Sequence, residues 1–418
     1  MVPPMPDVTT GSLVALRVRE FRILWFGTIF SFMAFFMAMI VQSVVAFEIS
    51  GNNSSVGWIV AAQGVAMILL GPIGGAFADR WPKRSVVIIG QILAACVLFW
   101  TAAMIMTEAI SIPWLAVSAL LVGVAVAFVG PSRQGMVVEV VPPAIRGNAM
   151  AVNNLANTFS RVLGPVLAGG LLGWEYAGSV GAYVVMMLFY VVSAGSMVLL
   201  PRVKVRSDVQ SRSVLADVGD GLGYVYGQKR LRLLVILFTI VIFLGFPHIT
   251  VLPGLTENVF ERTATDVSEL FVVSALGALV ASFWVTRFGD SPKADTVYLG
   301  MALLFGVSLV GLAWAPTFLW AEVALFGVGA GSGAFQSLNA AVIARDTEPI
   351  FIGRVMSLVM LAFGGFGLMA LPYGFLADAI GERVTLLIMG VGVLAVTLIF
   401  GVLLRNERSS REALNQQS

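Results

Sequence analysis

Residues 75–84 read GAFADRWPKR, and this charged stretch separates two long apolar runs. Gly75 and Asp79 lie four residues apart, so on a helix they share one face. Pro82, a helix breaker, follows close behind. Three bases crowd the same turn: Arg80, Lys83 and Arg84. An acid at a helix end followed by three bases, between two apolar segments, indicates a short loop at a membrane surface.

The composition agrees with a membrane location. Of the 418 residues, 58% are hydrophobic and 11% are charged, whereas a soluble domain has roughly 45–50% apolar and about 25% charged residues. The 44 glycines suit close helix packing in lipid. One cysteine and one histidine exclude an internal disulfide and disfavour a metal site. We expect no metal, no cofactor and no nucleic-acid partner.

Twelve apolar runs are long enough to cross a bilayer, since a spanning helix needs about 20 residues. The runs lie at 21–47, 56–78, 85–106, 112–140, 148–173 and 179–200, and then at 233–252, 268–286, 296–315, 319–344, 353–377 and 383–404. They predict an all-α membrane protein with twelve transmembrane helices in two pseudo-symmetric six-helix bundles. We expect an N-terminal bundle at 1–200, a linker at 201–232 and a C-terminal bundle with a tail at 233–418. Part of the linker, Leu215 to Arg232, has the pattern of an amphipathic helix at the membrane surface.

Lysine and arginine are distributed unevenly over the predicted loops. With the N-terminus inside, 21 of the 25 fall in inside segments, and only Arg262 and Arg383 fall in outside loops. The other two, Arg133 and Arg161, fall within spans. Because basic loops stay on the cytoplasmic side, both termini and the linker are expected in the cytoplasm.

The loop at 75–84 and the end of the fourth span together predict a gate. Its proposed members are Gly75, Asp79, Arg80, Lys83, Arg84 and Glu139. Asp79 and Glu139 would pair with Arg80 and Arg84 when the cytoplasmic side is closed, and would separate when it opens. An exposed ion pair is worth at most about 1 kcal/mol, a size that suits a contact broken in every cycle. A static ion-pair cluster is the alternative.

Polar residues at membrane depth are candidates for function because they are costly to bury in lipid. Asn153, Asn157 and Arg161 recur every four residues on the fifth span, so they form one stripe. We expect the stripe to line a central cavity, where Arg161 would meet an anionic or strongly accepting group of the substrate. The alternative is that Arg161 bonds to a neighbouring helix. Further candidates for the cavity are Arg133, Gln336 and Asn339.

The sequence offers few groups for proton coupling, because no carboxylate falls at the middle of a predicted span. Glu48 ends the first span, and His248 lies near the end of the seventh; both can titrate. An ordinary interfacial carboxylate and a packed histidine are the alternatives for these two residues.

Several stretches resemble the major facilitator superfamily, in particular its twelve-span drug and siderophore exporters. The loop at 75–84 is similar to the pattern G-x-x-x-D-R-x-G-R-K, with Pro82 in place of the usual glycine. Residues 131–134 resemble its P-x-R-Q, 148–165 its fifth-span pattern, and 353–357 and 374–381 its eleventh-span pattern. The resemblance implies the major facilitator fold, export across the inner membrane of a bacterium, and proton antiport. It does not imply one substrate.

The sequence thus predicts a monomeric secondary transporter that exports small amphiphilic molecules by alternating access, in exchange for protons. A carrier of lysolipid-like or anionic metabolites is the alternative, because two arginines fall within spans without a central acid. An intramembrane enzyme is disfavoured, since one histidine, one cysteine and no mid-depth acid pair leave no catalytic constellation. The sequence has no glycine loop of the ATP-binding type. The repeated halves and the charged loop argue against a simple pore.

Overall fold

A computed structural model describes residues 13–201, 214–263, 266–288, 291, 293–348 and 351–417, and this part of the chain is almost entirely helical without a strand. The helices are α1 (Arg19–Ser50), α2 (Asn53–Arg80), α3 (Lys83–Met106), α4 (Ile112–Glu139), α5 (Arg146–Leu172), α6 (Gly178–Val198), α7 (Val214–Gly227), α8 (Lys229–Gly245), α9 (His248–Gly254), α10 (Val267–Val285), α11 (Ala294–Ala313), α12 (Phe318–Arg345), α13 (Ile352–Ile380) and α14 (Glu382–Gln417).

The helices are membrane-spanning in length and composition. Ten helical segments of the described chain are long and apolar enough to cross a bilayer, and the segment Gly364–Ile380 of α13 is a shorter apolar helix. The remaining long helix, α5, carries four asparagines and two arginines that lower its hydropathy. The prediction of an all-α membrane protein with two sets of six spans is confirmed.

The seventh span is interrupted, because Pro247 has no N–H to donate to the helical ladder. The helix α8 ends at Gly245, α9 begins at His248, and a π-helical turn follows at Leu255–Val259. This turn brings Asn258 to the end of the span.

A helix in the predicted linker is present, although it is shorter than expected. It is α7, which ends at Gly227, and Gln228 in an extended conformation separates it from α8. The helix packs on the start of α13, where the Tyr224 ring stacks on Phe351 at 4.1 Å and the Asp220 carboxylate pairs with Arg354 at 3.5 Å. The Tyr224 hydroxyl also accepts from the Glu348 N–H at 3.1 Å, so the described contacts of α7 are with other parts of the protein.

The helices form two compact units, and α1 and α2 contribute to both. Unit 1 comprises Met1–Val41 and Leu69–Ser211, and unit 2 comprises Gln42–Ile68 and Arg212–Ser418. In unit 1, α3 packs on α4 and α6, and α5 packs on the same two helices. In unit 2, α12 packs on α10 and α11, and α14 packs on α8 and α11. The predicted bundle limits at 200 and 233 follow sequence order and stay a prediction.

Glycines bring the backbones of α10 and α12 into direct contact. A Cβ on Gly329 would lie 2.9 Å from the Ser274 Cα, and a Cβ on Gly277 would lie 3.0 Å from the Ala330 nitrogen. Any side chain at these positions would force the two helices apart. The high glycine content therefore serves helix packing, as is usual where helices meet within lipid.

We predict that Gly329→Ala lowers the free energy of unfolding by about 1–3 kcal/mol, because the added methyl group overpacks the helix contact. Gly300→Ala is the matched control, since a Cβ there meets no atom within 4 Å; it should be neutral or stabilise by up to about 1 kcal/mol. Thermal unfolding of the detergent-solubilised variants measures both. Equal stability of the two variants would contradict the close-packing account.

Candidate functional site

The helix α5 is held firmly against α1 in unit 1. Gly164 permits the approach, since a Cβ there would lie 2.7 Å from the Phe36 Cβ. Three hydrogen bonds connect α5 to the chain before and within α1: Ala15 N to Asn148 Oδ1 (3.0 Å), Trp25 Nε1 to the Val152 carbonyl (2.8 Å) and Ser160 Oγ to the Ile29 carbonyl (3.2 Å). The position of the polar stripe on α5 is therefore set by α1.

Arg161 lies over the Phe36 ring, with its guanidinium carbon 5.9 Å from the ring centroid. The side chain is partly buried, and no described residue is a carboxylate or hydrogen-bond partner for it. A cation over an aromatic face gains on the order of 0.5–2 kcal/mol, and this contact does not engage the N–H donors. Arg161 is thus a cation at membrane depth whose N–H donors have no acceptor among the described residues.

One asparagine of the stripe also has an unused hydrogen-bond acceptor. Asn153 is buried, and its Oδ1 has no hydrogen-bond partner within the described residues. Asn157, one turn further on, is partly buried. The stripe therefore combines amide groups with one cation, a set that can bind an acceptor group and orient a polar molecule.

Arg133 has a different environment, although it also lies within a span. It is buried and donates to the Gly27 carbonyl (3.2 Å) and to Ser193 Oγ (3.1 Å). Ser193 in turn donates to the Gly27 carbonyl and accepts from Gln91 Nε2 at 2.9 Å. Arg133 therefore joins α4 to α1 and α6, and the described contacts place it in helix packing. The role of Ser193 is not visible in the sequence, where a serine in an apolar run resembles a small packing residue.

The predicted gate residues are described in part. Lys83 Nζ and Glu139 Oε1 form an ion pair at 2.6 Å. Gly135 leaves room for the lysine side chain, because a Cβ on Gly135 would lie 2.7 Å from the Lys83 Cε. Arg84 donates to the Val198 carbonyl at the end of α6 (2.8 Å), so Glu139 pairs with Lys83 where we expected Arg84. The side chains of the three other members lie outside the described residues: Gly75, Asp79 and Arg80.

Unit 2 contains the remaining candidates. Asn339 is buried and accepts from the Tyr298 hydroxyl at 3.0 Å, and Gln336 is partly buried. His248 is buried; its Nδ1 donates to the Gly245 carbonyl at 2.8 Å, and its ring packs on Phe305. These contacts favour a packed histidine. Glu48 is exposed near the end of α1.

One charged cluster was missed by sequence reasoning. Arg230 bridges the carboxylates of Asp295 and Asp346, both at 2.7 Å, and Arg345 also pairs with Asp295 at 3.0 Å. The partners of Arg230 lie 65 and 116 residues away, so no local pattern marks them. Within the described chain, no group of three or more histidine, cysteine or acidic residues is arranged to hold a metal ion.

Comparison with known proteins identifies the protein family that this chain matches. A family model described as the Major Facilitator Superfamily matches residues 24–368. The chain is similar to the staphyloferrin A transporter of Staphylococcus aureus, with 22% identity over 84% of this chain and 88% of the relative. It is 26% identical to the multidrug resistance protein MdtH of Cronobacter sakazakii (78% and 80% of the two chains). It is also 20% identical to the macrolide efflux protein A of Streptococcus pyogenes (91% and 95%).

Solved structures show the same fold. A point mutant of the nucleoside transporter NupG superposes with a TM-score of 0.75 at 13% identity, covering 92% of this chain and 98% of the other. A bacterial homologue of the human lysosomal transporter Spinster, inward-facing and unoccupied, gives 0.72 at 15% identity, covering 92% and 96%. At these identities the likeness concerns the fold alone.

We predict that Arg133→Ala lowers the free energy of unfolding by about 2 kcal/mol or more, because hydrogen bonds to a charged group contribute about 1.5–3 kcal/mol. Ser193→Ala should also destabilise, since Ser193 links Arg133 to Gln91. Arg161→Ala is the comparison variant and should destabilise less, by about 0.5–1 kcal/mol, because it loses only the contact with the Phe36 ring. Thermal unfolding in detergent measures the stability of all three variants. Unchanged stability of Arg133→Ala would contradict a packing role for Arg133.

Proposed function

The chain belongs to the Major Facilitator Superfamily, whose model matches residues 24–368, and we propose that it is a secondary active exporter of small amphiphilic molecules that carry an anionic or strongly accepting group. The family and the named relatives are transporters, so the chain is a membrane transporter rather than an enzyme. Export is in line with the relatives named for multidrug resistance and macrolide efflux.

The single observation that carries the proposal is that Arg161 has no hydrogen-bond partner among the described residues. A guanidinium in a spanning helix needs a partner or water, and no described residue supplies a partner. Its apolar neighbour Phe36, at 5.9 Å, suits the apolar part of an amphiphile. A substrate with an acidic or strongly accepting group beside an apolar body would therefore satisfy both neighbours at once.

The proposed mechanism is alternating access by two six-helix bundles, 1–200 and 233–418, joined by the linker at 201–232. We place the protein in a bacterial cytoplasmic membrane, with both termini in the cytoplasm, because the bases are concentrated in the predicted inner loops. The Lys83–Glu139 pair, at 2.6 Å, would be part of the inner gate together with Asp79 and Arg80. Two exposed or partly exposed charges contribute up to about 1 kcal/mol, so the pair can break in each cycle.

Protons are the proposed coupling ion, and Glu48 is the proposed proton-sensitive group. His248 is the weaker candidate because its Nδ1–H is engaged by the Gly245 carbonyl. A carrier of lysolipid-like or anionic metabolites is a second candidate function. It is favoured equally by Arg161, which has no hydrogen-bond partner among the described residues. The two functions differ in the size and the lipid character of the substrate.

Transport in inverted membrane vesicles tests the role of Arg161. Arg161→Ala should lower transport of an anionic amphiphilic dye by about tenfold or more, since a charge-assisted hydrogen bond contributes about 1.5–3 kcal/mol. Transport of a cationic dye should persist. Arg161→Lys keeps the charge, and Asn154→Ala on the exposed side of α5 is the control. If Arg161→Ala transports both dyes as well as the unsubstituted protein does, Arg161 has no role in substrate recognition. If the unsubstituted protein transports an anionic lysolipid but neither dye, the second function is favoured.

A pH gradient across the same vesicles tests the coupling. Dissipating the gradient should abolish uphill uptake, and Glu48→Gln should reduce uphill uptake while leaving downhill exchange. Glu269→Gln, which changes an exposed carboxylate on α10, is the control. Uptake that does not depend on the gradient would exclude proton antiport without excluding transport.

A further inference from the structure

The same short pattern ends two helices of this chain. Residues 75–79 at the end of α2 read GAFAD, and residues 374–378 at the end of α13 read GFLAD. Each places a glycine and an aspartate four residues apart, so both lie on one helix face. The side chain of Asp79 lies outside the described residues, but that of Asp378 is described, so its contacts show what the pattern does.

Asp378 caps the start of α2. Its Oδ1 accepts from the Asn53 backbone N–H at 2.7 Å and its Oδ2 from the Ser54 N–H at 2.9 Å. These are the first two residues of α2, whose N–H groups have no acceptor within their own helix. The carboxylate also lies at the positive end of the helix dipole, which favours a negative charge. One carboxylate thus satisfies two donors from a helix more than 320 residues away in sequence.

The glycine of the pattern makes the cap possible. A Cβ on Gly374 would lie 2.7 Å from the Asn53 carbonyl oxygen and 2.8 Å from the Ser54 Cα. Any side chain at position 374 would therefore push the first turn of α2 away from Asp378. The pattern works as a unit, in which glycine admits the partner helix and aspartate binds its end.

The rest of this contact between α2 and α13 consists of small residues. Gly64 and Gly367 face each other, with a Cβ on Gly64 lying 2.8 Å from the Gly367 Cα, and a Cβ on Gly57 would lie 2.9 Å from the Ala370 carbonyl oxygen. Small residues allow close backbone contact. The polar groups at the end of the contact add directional hydrogen bonds to this packing.

A second carboxylate reinforces the same turn. Glu382, which is buried in the first turn of α14, accepts from Asn53 Nδ2 at 3.0 Å and from Asn258 Nδ2 at 2.7 Å. The neighbouring Arg383 is engaged with the carbonyls of Ala313 and Ala315. The hydrogen bonds described for both carboxylates come from backbone N–H groups and neutral amides, which water can replace when the helices part.

We infer that Asp378 is a reversible latch, which holds the first turn of α2 to α13 in this conformation and releases it when the first half of α2 leaves α13. The inference rests on the transport cycle proposed above. Asp378→Asn removes the charge at the positive end of the helix dipole and one of the two oxygen acceptors, which changes the equilibrium by about fivefold. Loss of the Asp378 charge should therefore shift the population of the released state by a similar factor.

Spin-label distances test the latch without requiring transport. In a Cys96→Ala background, labels at the exposed positions Asn52→Cys and Ala379→Cys report the separation of α2 from α13. Asp378→Asn should raise the population with long distances about fivefold, and the Glu269→Gln control should not. Gly374→Ala, which adds the obstructing methyl group, should shift the distances in the same direction. The two variants perturb the contact by different means, so either one carries the test if the other does not fold.

Unchanged distances in a folded Asp378→Asn or Gly374→Ala protein would overturn the latch, whatever the transport activity. Failure of the proposed function has a different signature. In that case the unsubstituted protein would move neither the two dyes nor the lysolipid, while the distance shift in Asp378→Asn would still be measured.

Discussion

Within a lipid bilayer there is no water to satisfy polar groups, so every N–H, carbonyl and charge must find a partner inside the protein or in a wet pathway. The helices of this chain follow from that constraint. So do the glycines that let α10 and α12 meet at backbone distance, because association in lipid depends on close packing rather than on water exclusion. Where a polar side chain is retained in a span, its partners therefore indicate its role.

The two arginines in spans show how this reasoning separates structure from function. Arg133 directs two donor groups at a carbonyl and a hydroxyl of neighbouring helices. Its cost of burial is therefore partly offset within the fold, although its Nε has no hydrogen-bond partner among the described residues. Arg161 has a ring beside it but no hydrogen-bond partner among the described residues. A charge of the second kind is kept only where a solvated pathway or a ligand reaches it. This contrast is the basis of our proposal that Arg161 meets the substrate.

The ends of the helices carry the other informative interactions. Carboxylates cap helix starts, as Asp378 does for α2, and bases neutralise helix ends, as Arg84 does for α6. Such contacts are individually weak and fully polar, so they suit the movement of helices in the transport cycle that we propose. The fold itself, shared with transporters at 13–15% identity, does not specify a substrate. Specificity has to be sought in side chains such as those of the α5 stripe.

The sequence alone predicts the number and order of the spans and the spacing of the α5 stripe, because length, apolar composition and helical period are local properties. It also determined the family, through short motifs. Only the tertiary structure decided the partners: Glu139 with Lys83 rather than Arg84, Arg133 with Ser193, and Glu382 with Asn53, which is 329 residues away. Such pairs depend on which helices become neighbours, and a linear pattern of residues carries no information about distance across a helix bundle.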